Sequence, residues 1–70
     1  MRYAVIIEPA DDGSYSCYVP DLPGCISCGD TAEEATRLIR EAIDLHIEAM
    51  RETGEPVPPP RSQVTHVDAA

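Results

Sequence analysis

Tyr18-Val19-Pro20-Asp21-Leu22-Pro23-Gly24-Cys25, followed by Gly29-Asp30-Thr31 and a helix opening at Glu33-Glu34-Ala35, is the stretch whose reading decides the fold. It spells a strand that stops at a proline, a rigid corner, a short further strand and a capped helix start. Pro20 and Pro23 have no N–H to give to a ladder and hold φ fixed, while Gly24 permits a backbone that other residues resist. A stiff, exposed corner between strands suits a recognition surface better than a packing seam.

Upstream of the corner, residues 2–8 are rich in β-branched and aromatic types (Tyr3, Val5, Ile6, Ile7), which predicts a strand buried on much of both faces. Asp11-Asp12-Gly13 is a turn signal, so a hairpin follows, with the second strand from Tyr15 to Val19. Alternation places Tyr15, Cys17 and Val19 on one face and Ser16 and Tyr18 on the other. After the corner, Cys25 to Cys28 forms a short third strand.

Downstream, Thr31-x-x-Glu34 fits a capping box, with Asp30 as an alternative cap, and Glu33 and Glu34 suit the first turn of a helix. The helix is expected to reach about Thr53, stopped by Gly54 with Pro56 beyond. At about 100° per residue, Glu33, Arg37, Arg40, Glu41, Asp44, Glu48, Arg51 and Glu52 form a polar arc. Ala35, Leu38, Ile39, Ala42, Ile43, Leu45, Ile47, Ala49 and Met50 cover the other side, wider than one sheet needs. The surplus edge near Leu38, Leu45 and Ala49 is either a subunit contact or is covered by the last strand and the proline segment folding back. Glu55-Pro56-Val57-Pro58-Pro59-Pro60 reads as a semi-rigid crossover. Val64 to Val67 is a weak fourth strand, returning to this chain's sheet or to a neighbour's.

Seventy residues make one small domain. A chain of this size has a small core and marginal stability, so association is expected. Thirteen Asp and Glu stand against five Arg and no Lys, a net charge of −8. This balance disfavours direct binding of nucleic acid and suits either a basic protein partner or simple solubility. No signal peptide or membrane span is legible, and three cysteines without an export signal read as reduced cytosolic thiols, so a cytoplasmic protein is expected.

The residues that suggest chemistry do not assemble into a site. Cys25-x-x-Cys28 invites a zinc or redox reading with Cys17, His46 or His66. Residues three apart on a strand face opposite ways, however, and no second such pair exists. His46 sits on the helix's apolar arc without a catalytic partner. Asp11 and Asp12 read as turn residues and Asp30 as a cap, rather than as a metal-binding carboxylate set with Glu8. No catalysis, metal or cofactor is expected.

The order of elements is also specific. A leading strand, an acidic turn, a second strand ending in Pro20-Asp21-Leu22-Pro23-Gly24-Cys25, then Gly29-Asp30-Thr31-x-Glu33-Glu34-Ala35 and a helix ending near Gly54-x-Pro56-x-Pro58 resemble the HicB-like antitoxin family over roughly residues 3–60. The resemblance implies a partial RNase H-like α+β fold without nuclease activity: a three-stranded antiparallel meander, one long helix and a short fourth strand. It implies an antitoxin of a type II toxin–antitoxin system that covers the active site of a small basic HicA-like RNase cleaving mRNA. Many family members add a C-terminal DNA-binding domain; only three residues follow Val67 here, so a single domain over 1–70 without that module is expected. A stand-alone oligomeric HicB-like protein binding another partner or a small ligand is the main alternative, and a metal-dependent nuclease a remote one. The partner-binding surface is expected at Asp11, Asp12, Tyr18, Pro20, Asp21, Leu22, Pro23 and Cys25. A dimer or tetramer interface is expected at Leu38, Leu45, Ala49, Val64 and Val67.

Overall fold

The computed structural model describes residues 1–70, in the order β1 (Ile6–Pro9), β2 (Tyr15–Tyr18), β3 (Ile26–Gly29) and α1 (Ala32–Glu52). The strands form an antiparallel meander, β1-β2-β3, with Ile6 opposite Tyr18 and Tyr18 opposite Ile26. The helix lies across one face of this α+β unit, chiefly over β3 and β2 and barely over β1.

Each joint has a local cause. In the hairpin, Asp12 Oδ1 accepts from the Ser14 amide (3.0 Å) and hydroxyl (2.6 Å), and Gly13 takes φ +88°. The corner is two linked turns, closed by Leu22 N–H to the Val19 carbonyl (3.1 Å) and Cys25 N–H to the Leu22 carbonyl (3.0 Å). In the second turn Pro23 fixes the first central position, and Gly24, at φ +85°, supplies the positive φ needed at the next. The helix is capped by Thr31, whose hydroxyl accepts from Glu34 N–H at 3.0 Å; the Glu34 carboxylate reaches one residue past the cap, to Asp30 N–H (3.1 Å). At the far end Gly54 (φ +76°) ends the helix, with Glu55 N–H bonded to the Met50 carbonyl and Gly54 N–H to that of Arg51.

The core is small: Cys17, Val19, Leu22, Cys25, Ala35 and Ile39 are the buried hydrophobic residues, with Tyr3, Val5, Tyr15, Ala42, Ile43 and Ile47 packed around them. The helix comes so close to β3 that a Cβ on Gly29 would lie 2.6 Å from the Ala35 amide nitrogen.

Three expectations for the strands require correction. The first strand begins at Ile6 rather than residue 2, because the next ladder partner, Pro20, has no N–H to donate. Nor is it buried on both faces: Ile7 is 38% exposed, since β1 is a sheet edge that the helix hardly covers. Val64 to Val67 makes no strand in this chain and is exposed throughout. The preceding segment is anchored elsewhere, by the Tyr3 hydroxyl donating to the Pro58 carbonyl and by Asp21 accepting from Arg61 and Ser62.

Candidate partner-binding surface

The corner divides the expected partner-binding residues into a buried foundation and an exposed top. Leu22 and Cys25 point inward, 0% and 3% exposed, and with Val19 they hold the corner from beneath. Their burial gives them a packing role, and truncating Leu22 would test the fold before it tested any interface. Pro20 and Pro23 are exposed above them, and Tyr18, 40% exposed, lies on the sheet face away from the helix. Beside Tyr18 in register sit Ile6 and Ile26, the latter 71% exposed, so an apolar row crosses all three strands on the uncovered face. Sequence reasoning missed Ile6 and Ile26 as neighbours of Tyr18. Strand parity carried the signal, but only the register makes it readable.

The acids behave differently from one another. Asp11 is exposed at the hairpin tip. Asp12 is exposed as well, and the Ser14 hydroxyl and then the Ser14 amide hold its carboxyl below the ordinary carboxylate value. Asp21 is already engaged within the chain. Its Oδ2 accepts from the amides of Arg61 and Ser62, both at 2.8 Å, and its Oδ1 from the Ser62 hydroxyl at 2.8 Å. These bonds, the Ser62 amide foremost, lower its pKa. Asp21 therefore clamps the C-terminal segment against the corner, a long-range contact with no local sequence signal.

The cysteines fall on opposite sides of the sheet. Cys17 and Cys25 are buried and Cys28 is exposed, as strand alternation requires. The Cys17 thiol lies 3.5 Å from the carbonyl oxygens of Ser27 and Ala35, joining β3 to the helix, and burial pushes both inner thiols up in pKa. His46 lies half-buried in a shallow cleft with Pro23, Met50 and Pro58. No three His, Cys, Asp or Glu side chains gather at one point.

The residues expected at an oligomer interface lie on two flanks of the molecule. The helix flank bearing Arg40, Ile43 and Ile47 lines clefts with Met1, Tyr3 and Val5, on the β1 side. Leu38, Leu45 and Ala49 are turned well over 90° from that flank, hence toward the β3 side, and Leu45 is 66% exposed. Val64, by contrast, borders Arg2, Tyr3 and Ala4, and Val67 is 84% exposed beyond it. No helix is long and apolar enough to cross a membrane.

Comparison with known proteins agrees with this architecture. A 14.9 kDa protein from the rep–hol intergenic region of Haemophilus phage HP1 is 50% identical over 58 residues, covering 83% of this chain and 43% of the phage protein. Antitoxin HicB 1 of Photorhabdus laumondii is 38% identical over 60 residues, 86% of this chain and 39% of that protein. A UPF0150 protein of Thermoplasma acidophilum is 45% identical over 58 residues, 83% of this chain and 84% of its own length. The chain thus spans less than half of the first two proteins and most of the third. Among solved structures, a chain of a HicA3 and HicB3 toxin–antitoxin complex superposes with a TM-score of 0.73 at 34% identity, covering 86% of this chain and 70% of that one. The family model for the HicB-like antitoxin of bacterial toxin–antitoxin systems matches residues 3–70, from the first strand through the tail that Asp21 clamps, and the chain belongs to that family.

Proposed function

We propose that this chain is an antitoxin that binds a small basic HicA-like RNase and occludes its active site. The observation that carries the reading is the likeness, in fold and in a third of the sequence, to a chain solved within a toxin–antitoxin complex. The net charge of −8 supports it, because opposite charge accelerates the encounter with a basic partner and holds its register. The contact centres on Tyr18, Pro20 and Pro23, with Ile6 and Ile26 extending the apolar patch and Asp11 and Asp12 on its rim. Leu22 and Cys25 act from below by fixing the shape of the corner, and Asp21 by tying the tail beside it. A surface preformed by two prolines and two closed turns loses little freedom on binding. The chain works by occupancy and performs no chemistry of its own.

Growth rescue tests the proposal. Where a neighbouring gene encodes a basic protein, that protein is expressed with wild-type chain, with Tyr18→Ala, or with Asp11→Asn/Asp12→Asn. Wild type restores growth at limiting expression. Tyr18→Ala weakens rescue through faster dissociation, a loss of about 1–2 kcal/mol for a central aromatic anchor. The double variant slows association and reduces its salt dependence. Equal rescue by all three removes the corner from the interface, and the absence of a toxic partner removes the function.

A further inference from the structure

We infer that the cleft between the last turns of α1 and the corner is a socket for a lysine or arginine side chain of the basic partner, an assignment that rests on the antitoxin reading above. Pro23, Pro58, Met50 and Ala49 wall a cleft of about 450 Å³, and its polar lining is His46, Thr53 and Glu55. The chain itself holds these groups in place. Cys25 N–H closes the turn around Pro23 at 3.0 Å from the Leu22 carbonyl, and the Tyr3 hydroxyl donates to the Pro58 carbonyl. Glu55 N–H bonds to the Met50 carbonyl at 2.9 Å, which fixes where its side chain leaves the backbone. A cleft shaped before binding loses little freedom when it is filled.

The hydrogen-bonding inventory selects the occupant. The amides at the helix end are spent: Thr53 N–H on the Ala49 carbonyl, Gly54 N–H on that of Arg51 and Glu55 N–H on that of Met50. The Thr53 hydroxyl shares its proton between the carbonyls of Ala49 (3.2 Å) and Met50 (3.1 Å), so only its lone pairs are left to bind. Glu55 adds a carboxylate, and a neutral imidazole at His46 adds one acceptor nitrogen beside its single N–H. The cleft is therefore rich in acceptors and poor in donors. No Arg lines it, the chain has no Lys, and its ion pair, Arg37–Glu41, lies elsewhere. The negative end of the helix dipole falls at the same place. Ammonium and guanidinium groups carry donors only, and their aliphatic stems suit walls of proline and methionine. A carboxylate or phosphate would meet Glu55 instead, and an aromatic ring would leave the acceptors unused. Pro23 also belongs to the exposed top of the corner, so a partner seated there brings its side chains to the mouth of the cleft.

Nuclear magnetic resonance of the full chain, titrated with blocked tripeptides carrying a central arginine, lysine, norleucine or glutamate, reads the cleft without the toxin. The arginine and lysine peptides shift the amides of Ala49, Met50, Thr53 and Glu55 saturably, and the norleucine and glutamate peptides do not. Glu55→Gln weakens that binding about two- to fivefold. Ala49→Arg, which lodges the chain's own guanidinium in the cleft, abolishes it while circular dichroism keeps the wild-type spectrum. Asp11→Asn/Asp12→Asn leaves it intact. Should Ala49→Arg unfold, Glu55→Gln decides the matter. Shifts scattered over the surface, or equal losses from Glu55→Gln and the hairpin variant, overturn the proposal in favour of diffuse attraction by the net charge. Equal binding of the norleucine peptide overturns it by making the cleft a purely apolar site. Where a neighbouring gene supplies a basic protein, Ala49→Arg also speeds its dissociation several-fold, and unchanged dissociation takes the cleft out of the partner contact. Failure of the peptide tests leaves growth rescue by wild type standing. Lost rescue with peptide selectivity retained overturns the antitoxin reading and not the preference of the cleft for cations.

Discussion

Replacing Gly29 by alanine probes the close approach of the helix to β3. The added methyl would sit 2.6 Å from Ala35 N, 3.0 Å from the Glu34 carbonyl carbon and 3.1 Å from Ala35 Cα, all backbone atoms of the first helical turn. Side-chain rotation cannot relieve contacts of this kind. Restoring ordinary contact at 3.4 Å requires the helix start to move about 0.8 Å from the strand. That shift loosens Ala35 and Ile39 in a core of six buried hydrophobic residues. Overpacking of this sort costs ~1–3 kcal/mol. Glycine to alanine also stiffens the unfolded chain, which returns ~0.4–1 kcal/mol. The net loss is about 1–2 kcal/mol, and in a domain of this size it lowers Tm by roughly 5–15 °C. Thermal unfolding followed by circular dichroism at matched protein concentration measures it. An unchanged or raised Tm would refute the close helix–β3 packing on which the whole arrangement rests.

Leu22→Ala should behave as a folding variant, losing about 2–5 kcal/mol in chemical denaturation, whereas Tyr18→Ala should leave the unfolding midpoint near wild type. Equal midpoints for the two would contradict the inward placement of Leu22. The Asp21 clamp should open in acid. Because hydrogen bonds from Ser62 and Arg61 lower its pKa below the ordinary 3.8, the contact is complete above that value and fades as pH falls through the lower, tail-bound value. The amide resonances of Arg61 and Ser62 should titrate with the Asp21 carboxyl, and Asp21→Asn should speed tryptic cleavage after Arg61 at neutral pH. Amides that ignore the Asp21 titration, together with unchanged cleavage, would dissolve the clamp.

The elements most legible in the sequence were those encoded by adjacent residues. Thr31 with Glu34, and Gly54 before Pro56, delimit the helix because caps are local devices. Pro20, Pro23 and Gly24 mark the corner because their backbone limits belong to the residues themselves. What the sequence left open depended on pairing at a distance. The start of β1 follows from Pro20 arriving opposite residue 4, which only the register reveals. Leu22 lies between two turns, where no periodicity tells inside from outside, and its apolar character reads equally well as anchor or core. Asp21 looked like a free rim acid because its partners are 40 and 41 residues away. The wide apolar arc of the helix was plain from its spacing, and of its surplus edge the fold leaves Leu45 exposed while Ala49 borders a cleft with Pro23 and Pro58.

Inhibition of the toxin is the most direct measurement of the central claim. If a neighbouring gene encodes a basic RNase, that protein is purified and titrated with the full chain while cleavage of an RNA substrate is followed. The account predicts stoichiometric loss of activity, with Tyr18→Ala requiring several-fold more protein and high salt weakening the inhibition. An RNase that stays fully active at saturating wild-type chain, or that binds the chain and still cleaves, would contradict it.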